Sequence, residues 1–253
     1  MSYRAFAEFY DCFTSDVGYD VRSGYLLNLF LKFDKKPALL LDIGCGTGGF
    51  SFALADRGIE VIGIDPSAEM LSLAREKDCE GPKPLFLQQS AESLDLYGTV
   101  DGAVACLDTL NHIVKKAELA RSLARISLFL EPGCLFIFDV NTLYKHKKVL
   151  SHRTFSYDNG EKLCIWKNSR CSKNGTVKMK LKLYQNTDGG YWYDTDRHAE
   201  RAYSAEEWQQ LLTEAGFQIE AVYADGTTDP PTETTERVYY VTRKKKEHDL
   251  FFK

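Results

Sequence analysis

The sequence predicts a doubly wound α/β fold. Its mostly parallel seven-stranded sheet ends in an antiparallel hairpin, and the fold adds a helical N-terminal lid and an inserted antiparallel β subdomain. Three observations predict it. Between about residue 38 and residue 139, short apolar runs alternate with amphipathic stretches, the rhythm of βα units. From residue 150 to residue 201 the period falls to two. Beyond residue 203 the chain returns to a helix followed by strands. The boundaries that follow are a lid over 1–36, a main domain over 37–148 and 203–246, an insert over 149–202 and a tail over 247–253.

Taken in order, Ala5, Phe6, Phe9, Tyr10 and Phe13 share one face of an N-terminal helix, and Tyr25–Phe30 forms a second apolar segment. Ala38–Ile43 is an apolar strand that ends at a glycine-rich turn, and Gly48–Arg57 carries Phe50, Ala53 and Leu54 at helical spacing. Glu60–Ile64 is the second strand, followed by a helix over Ser67–Lys77 that buries Met70, Leu71 and Ala74. Pro84–Gln88 and Asp101–Cys106 are further strands, with a helix over Lys116–Leu130 after them. The fifth strand, Cys134–Asp139, is entered through the turn Glu131-Pro132-Gly133.

In the insert, Leu163–Trp166, Val177–Gln185 and Tyr191–Arg201 read as antiparallel strands, with turns at Asn174-Gly175 and Asn186–Gly190. Lys178, Lys180 and Lys182 form a solvated face opposite Val177, Met179, Leu181 and Leu183. A hairpin centred on Asp188 sets Lys182 against Asp194 and Lys180 against Asp196. Each such pair is worth roughly 0.2–1 kcal/mol. Ser204 and Glu207 have the spacing of a capping box for a helix that runs to Ala215 and stops at Gly216. Phe217–Ala224 and Glu236–Arg243 follow without an intervening helix, so they close the sheet as an antiparallel pair.

Composition narrows the functions. The net charge of −4 argues against a broad phosphate-neutralising face, and Arg243–Lys246, the one dense basic run, reads as a solvated tail. The start lacks a basic segment followed by an apolar one, and no run of about 20 apolar residues occurs, which predicts neither secretion nor a membrane span. Seven scattered cysteines without a CxxC pair read as reduced thiols in a cytoplasmic protein. No HExxH, Walker lysine or GxSxG motif is present, which removes zinc hydrolases, P-loop NTPases and α/β-hydrolases.

The stretch that carries chemistry is Leu39-Leu40-Leu41-Asp42-Ile43-Gly44-Cys45-Gly46-Thr47-Gly48-Gly49-Phe50. Strand, glycine loop and helix bring backbone N–H groups near a ligand, and the glycines allow close approach. Gly44, Gly46 and Gly49 also satisfy GxGxxG, so an NAD-dependent dehydrogenase enters the comparison. Sixteen residues after Gly49, Asp65 ends the second strand, where a carboxylate accepts both ribose hydroxyls of an adenosine or caps the next helix ahead of Pro66.

These segments resemble the class I, Rossmann-like, S-adenosylmethionine-dependent methyltransferases over nearly the whole chain: LLLDIGCGTGG is similar to their first motif and VIGIDPSAEML to their second. The Phe6-Ala7-Glu8-Phe9-Tyr10-Asp11 and Cys106-Leu107-Asp108-Thr109-Leu110-Asn111-His112 segments are similar to bacterial members of unassigned substrate. The resemblance implies S-adenosyl-L-methionine as cofactor and S-adenosyl-L-homocysteine as product. It implies that Asp42, Gly44 and Gly46 surround the amino-acid end, with Cys45, Thr47 and Gly48 in the same loop. Asp65 and Pro66 would hold the ribose and Met70 the adenine. Ser90, Ala91 and Glu92 would line the adenine edge, Ser90 standing where relatives often carry Asp. Cys106 and Leu107 would follow the fourth strand, and Tyr10 and Tyr19 would come from the lid.

Methyl transfer is an in-line displacement in which orientation alone supplies roughly 7–11 kcal/mol, and a protonated nucleophile also needs a base. Asp108 and His112 are the expected catalytic pair, because ligands of doubly wound sheets bind at the C-terminal strand ends. Asn111, His198, Arg201 and Tyr203 are the expected substrate contacts, and no metal is required. A small-molecule substrate is the first expectation, with no nucleic-acid or membrane partner. An RNA or protein methyltransferase comes next, then a cofactor-binding protein without transferase activity, and last the dehydrogenase. The acceptor and the oligomeric state do not follow from the sequence.

Overall fold

The structure is a computed structural model that describes residues 4–246, without the side chains of residues 4–6 and 8. The expected 247–253 tail, and the side chains of Ala5 and Phe6, lie outside the described residues. Two sheets form. The larger contains β1 (Leu39–Ile43), β2 (Glu60–Asp65), β3 (Leu85–Gln88), β4 (Val100–Ala105), β5 (Leu130–Asn141), β10 (Phe217–Ala224) and β11 (Arg237–Lys244). Their order is β10-β11-β5-β4-β1-β2-β3, with β11 antiparallel to both neighbours and the other pairs parallel. The smaller sheet is an antiparallel meander of β6 (Thr154–Asp158), β7 (Lys162–Asn168), β8 (Thr176–Thr187) and β9 (Gly190–Arg201). The expected fold class is borne out. Strand β6 has no counterpart in the sequence reading: as an edge strand it buries no side chain, so no apolar alternation announces it.

Both faces of the large sheet are covered, which is why its strands read as continuous apolar runs. On one face Leu26, Leu29 and Phe30 of α2 (Tyr19–Lys32) and Phe50 and Leu54 of α3 (Gly49–Ala55) pack on Leu40, Val104, Ile137 and Tyr239. On the other, Leu119, Leu123 and Ile126 of α5 (Lys116–Phe129) and Trp208, Leu211 and Leu212 of α6 (Ala205–Glu214) pack on Leu41, Ala103, Phe136 and Phe138. Helix α4 (Ala68–Arg75) sets Leu71 and Ala74 against Phe86 of β3. This corrects one expectation: α2 belongs to the layer packed on the sheet, whereas α1 (Arg4–Phe13) sends Tyr10 to the cavity described below. An apolar helical stripe shows that something covers it but not what. Helix α1 bridges the two sheets. Phe9 stacks on Trp192 of β9 at 5.7 Å between ring centres, while Asp11 pairs with Lys77 at 2.6 Å and accepts from the Thr47 hydroxyl.

The insert also differs in register. Thr187 pairs with Gly190 across a two-residue Asp188-Gly189 turn, so Lys182 faces Thr195 and Lys180 faces Arg197. The expected Lys182–Asp194 and Lys180–Asp196 pairs do not form, and Asp194, Asp196, His198 and Glu200 instead lie opposite Leu183, Leu181, Met179 and Val177 on the inner face. A slip of one residue exchanges the faces of a strand. Glu200 gains buried partners that outweigh two exposed charge pairs: it accepts from Asn141 Nδ2 at 3.2 Å and lies 3.5 Å from His146 Nε2. Lys178, Lys180 and Lys182 are exposed, as expected.

The capping box at α6 is complete: Ser204 Oγ accepts from Glu207 N at 3.2 Å and Glu207 Oε2 accepts from Ser204 N at 3.0 Å. Replacing Ser204→Ala should cost about 1 kcal/mol of stability, read as a lower urea midpoint at unchanged slope; an unchanged midpoint would mean that the helix start is held by packing alone.

Candidate active site

A cavity of about 410 Å³ opens at the C-terminal ends of β1, β2 and β4 and is walled on its far side by the insert. Gly44 and Gly46 form its floor in left-handed conformations, φ +68° and +54°. A Cβ on Gly44 would stand 2.4 Å from Thr109 Cγ2, so only glycine lets the backbone pass that side chain. The loop amides do not reach outward. Gly44 N and Cys45 N both donate to Ile64 O, at 2.8 and 3.0 Å, and Gly46 N donates to Asp65 Oδ2 at 3.0 Å. The amides of Gly44, Cys45 and Gly46 are therefore spent on tying the loop to β2.

Asp65 closes that tie and also lines the cavity. Its other oxygen accepts from Ser67 N at 2.8 Å. Burial raises its pKa, and the two backbone N–H bonds oppose that rise. Each carboxylate oxygen keeps a second lone pair for a ligand hydroxyl. Pro66, Met70, Gln89, Ser90, Ala91 and Glu92 continue the wall beside it. Ser90 Oγ shares a 2.8 Å hydrogen bond with Ser93 Oγ, which leaves acceptor capacity toward the cavity. Tyr10 reaches in from α1 and Leu107 from the turn after β4.

Other expected contacts lie elsewhere. Asp42 is fully buried beneath the loop, accepts from Ser51 Oγ at 2.6 Å, and has a pKa raised by burial to about 6 against that hydrogen bond. Cys45 and Cys106 are buried, and burial pushes both thiols well up, so both stay protonated. Thr47 and Gly48 are buried outside the cavity lining, Thr47 bonded to the lid. Tyr19 lies over Gly49 and stands edge-on to Phe50, so it packs under α3.

His112 and the insert form the opposite wall, with His198, Glu200, Trp166, Met179 and Leu181. His112 Nε2 lies 4.0 Å from Asp108 Oδ2 and 3.8 Å from Glu200 Oε1. Asp108 pairs with Arg237, which also pairs with Asp139. Burial raises the Asp108 pKa and Arg237 opposes it. Burial acts the same way on Glu200, but His146, His112 and Asn141 prevail and bring it down to about 2. Burial, then His112, lowers His198 to about 4.

Three expected substrate contacts are structural. Asn111 is fully buried: Nδ2 donates to Asn141 O at 3.2 Å and Arg201 O at 2.9 Å, while Oδ1 accepts from Asn141 N at 2.9 Å. Arg201 donates to Glu207 at 2.6 Å and stacks on Tyr203, whose hydroxyl donates to Ile113 O at 2.6 Å. Glu200, Trp166, Thr109 and Arg237 went unpredicted. The alternation Asp194-x-Asp196-x-His198-x-Glu200 was the available signal for Glu200.

Comparison with known proteins decides the family. The methyltransferase-domain family profile matches residues 40–133. "Putative methyltransferase GWCH70_2453" of Geobacillus sp. (strain WCH70) is 30% identical over 247 residues, 96% of this chain and all of that protein. The crystal structure of an S-adenosylmethionine-dependent methyltransferase from Clostridium acetobutylicum ATCC 824 superposes with a TM-score of 0.84 at 27% identity. That likeness covers 96% of this chain and 99% of the other. The chain belongs to the S-adenosylmethionine-dependent methyltransferases. The fold is also that of S-adenosylmethionine-bound CalS10, an amino pentose methyltransferase from Micromonospora echinaspora (TM-score 0.74, 19% identity, 93% of this chain and 96% of that one). The cofactor of this methyltransferase is S-adenosylmethionine, and its cavity offers an inward carboxylate at Asp65 and a side-chain-free floor at Gly44 and Gly46.

The buried Asp42 carboxyl makes a pH prediction. Its folded pKa of about 6 exceeds its unfolded value, so its favourable contribution is full below the unfolded pKa and is lost as pH rises through 6. The stability of wild type relative to Asp42→Asn should therefore fall between pH 4 and pH 7.5, by up to about 3 kcal/mol. Urea denaturation of both proteins across that range checks it, and a difference independent of pH rejects it.

Proposed function

We propose that this methyltransferase acts on an oxygen or nitrogen nucleophile of a small molecule, with His112 as the proton acceptor. The observation that carries the reading is a single cavity bounded by Gly44, Gly46 and Asp65 on one side and by His112, His198 and Glu200 on the other. An acceptor between those walls is shielded by α1 and the insert, which suits a compact molecule better than an RNA or protein chain. The net charge of −4 points the same way.

When bound, S-adenosylmethionine supplies an electrophilic methyl carbon on a sulfonium that departs as a neutral thioether. Asp65 would hold the ribose hydroxyls, Met70 and Ser90–Ala91 the adenine, and Gly44, Gly46 and Tyr10 the remaining length. His112 takes the acceptor proton at Nε2, between the carboxylates of Asp108 and Glu200, and its side chain is 27% exposed, so the proton can pass on to water. Trp166, Met179 and Leu181 supply apolar walls that orient the acceptor and exclude water.

The test combines calorimetry with release of S-adenosylhomocysteine on a panel of small amines and alcohols. Asp65→Ala should weaken nucleoside binding at least about tenfold through loss of two charge-assisted hydrogen bonds. His112→Ala should leave nucleoside affinity unchanged and lower turnover about 10²–10⁴-fold. Full turnover in His112→Ala removes the proposed base, and turnover only on RNA or protein acceptors removes the small-molecule reading.

A further inference from the structure

We propose that the outer face of the small sheet, turned away from the cavity, binds single-stranded RNA. Strand alternation sets up the two faces. Trp166, Met179, Leu181, His198 and Glu200 line the cavity, and the residues between them point the other way. Lys167, Lys180 and Arg197 stand in one row across β7, β8 and β9. Lys182 and Lys178 lie in the rows on either side, opposite Thr195 and Ala199. All five cations are exposed, and none is in a salt bridge among the described residues.

Like charges directly opposite one another in a sheet repel, and an ordinary solvated face intersperses the two signs. The observed register does the reverse. It turns Asp194, Asp196 and Glu200 to the inner face, and the outer positions of β7, β8 and β9 carry no acidic residue. Asp158, at the corner of the edge strand β6, is the one carboxylate that the four strands place on the outer face. The chain's net charge of −4 is a sum over the whole surface and does not describe this face. A bound polyanion would relieve the repulsion that the row of cations carries.

Charge alone suits any polyanion, and the aromatic side chains narrow the choice. Toward the β8–β9 turn, Tyr184 and Tyr193 face each other with ring centres 4.9 Å apart, and Tyr191 follows opposite Asn186. Tyr193 is 49% and Tyr191 78% exposed. At 3.4 Å per residue the face from Lys178 to Tyr184 is roughly 20 Å long, room for several nucleotides. Cations beside exposed rings hold single-stranded nucleic acid, the cations tracking phosphates and the rings stacking on bases. A duplex keeps its bases inside and cannot use the rings. An anionic membrane needs apolar groups to insert, and the large apolar side chains exposed on this face are tyrosines. Thr195 and Asn186, exposed on the same face, can hydrogen-bond a 2′-hydroxyl, which selects RNA over DNA.

The test is fluorescence anisotropy of a labelled, unpaired RNA of about twelve nucleotides, titrated with the full chain at several salt concentrations. The plot of log K against log salt should have a slope of roughly −2 to −3.5, as about three to five phosphate contacts imply. Lys180→Gln combined with Lys182→Gln should shrink that slope by about 1.4 and weaken binding at least about fivefold. Tyr193→Ala should weaken it at least about fivefold, whereas Tyr193→Phe should keep it. Affinity for S-adenosylhomocysteine should be unchanged in every variant, which also reports that each is folded. Absence of RNA binding by wild type at about 50 mM salt overturns the proposal, and so does binding that these variants leave intact. Tighter binding of the matching DNA, or of phosphatidylserine vesicles, overturns it in favour of that partner.

Discussion

Asp139 sits fully buried at the C-terminal end of β5, where its oxygens accept from the amides of Leu107 and Asp108 at 2.7 and 2.9 Å while Arg237 pairs with it. Those two amides belong to a turn that ordinary side chains resist, with φ of +54° at Leu107 and +55° at Asp108. Backbone strain of this kind costs of order 1–3 kcal/mol per residue and persists only where the surroundings enforce it. Here the enforcement is one carboxylate. The turn it holds launches the short helix that carries His112 into the cavity and leaves Asp108 facing the imidazole. Arg237 comes from the last strand, so the C-terminal hairpin completes a site begun at β4. A buried ion cluster of this type is a poor source of net stability, yet removing one member leaves a bare charge.

The second constraint joins the sheets. Asn111 holds the end of β5 through Asn141 and the end of β9 through Arg201 O, so it fixes the insert against the large sheet. Glu200 continues that seam through Asn141 and His146, and His146 Nδ1 meets Gly175 O at 2.8 Å. The cavity wall is thus a buried polar network shared by both sheets. Buried polar networks of this kind specify geometry because each lost hydrogen bond is costly there. The acceptor side of the site depends on the insert docking in one register.

Local patterns made most of the fold legible. Apolar periodicity located every strand of the large sheet, and the glycine loop with Asp65 located one wall of the cavity, because both signals lie within a few turns of chain. What escaped depends on contacts between distant segments. Nothing near Arg237 or Asp139 marks them as partners of Asp108. Asn111, Arg201 and Tyr203 neighbour His112 and His198 in sequence, but their side chains turn to backbone carbonyls and Glu207. In the β8–β9 hairpin the visible charge pairs favoured one register and the tertiary partners of Glu200 another. Exposed pairs worth under about 1 kcal/mol lose to a buried carboxylate that must be satisfied.

The glycine loop shows how one motif can serve two chemistries. A phosphate-binding loop leaves its N–H groups unpaired so that an anion can complete them. In this chain Ile64 O, Asp65 Oδ2 and Cys45 O consume the amides of Gly44, Cys45, Gly46 and Gly48. The spacing of glycines is compatible with either use, since it reports only where side chains must be absent. Asp65 accepts from Gly46 N and so ties the loop back onto β2. The carboxylate of Asp65 on the cavity wall suits the cationic charge of a sulfonium nucleoside. The glycine pattern reports where the backbone must run bare, and the hydrogen bonds of the loop report which of its amides are already engaged.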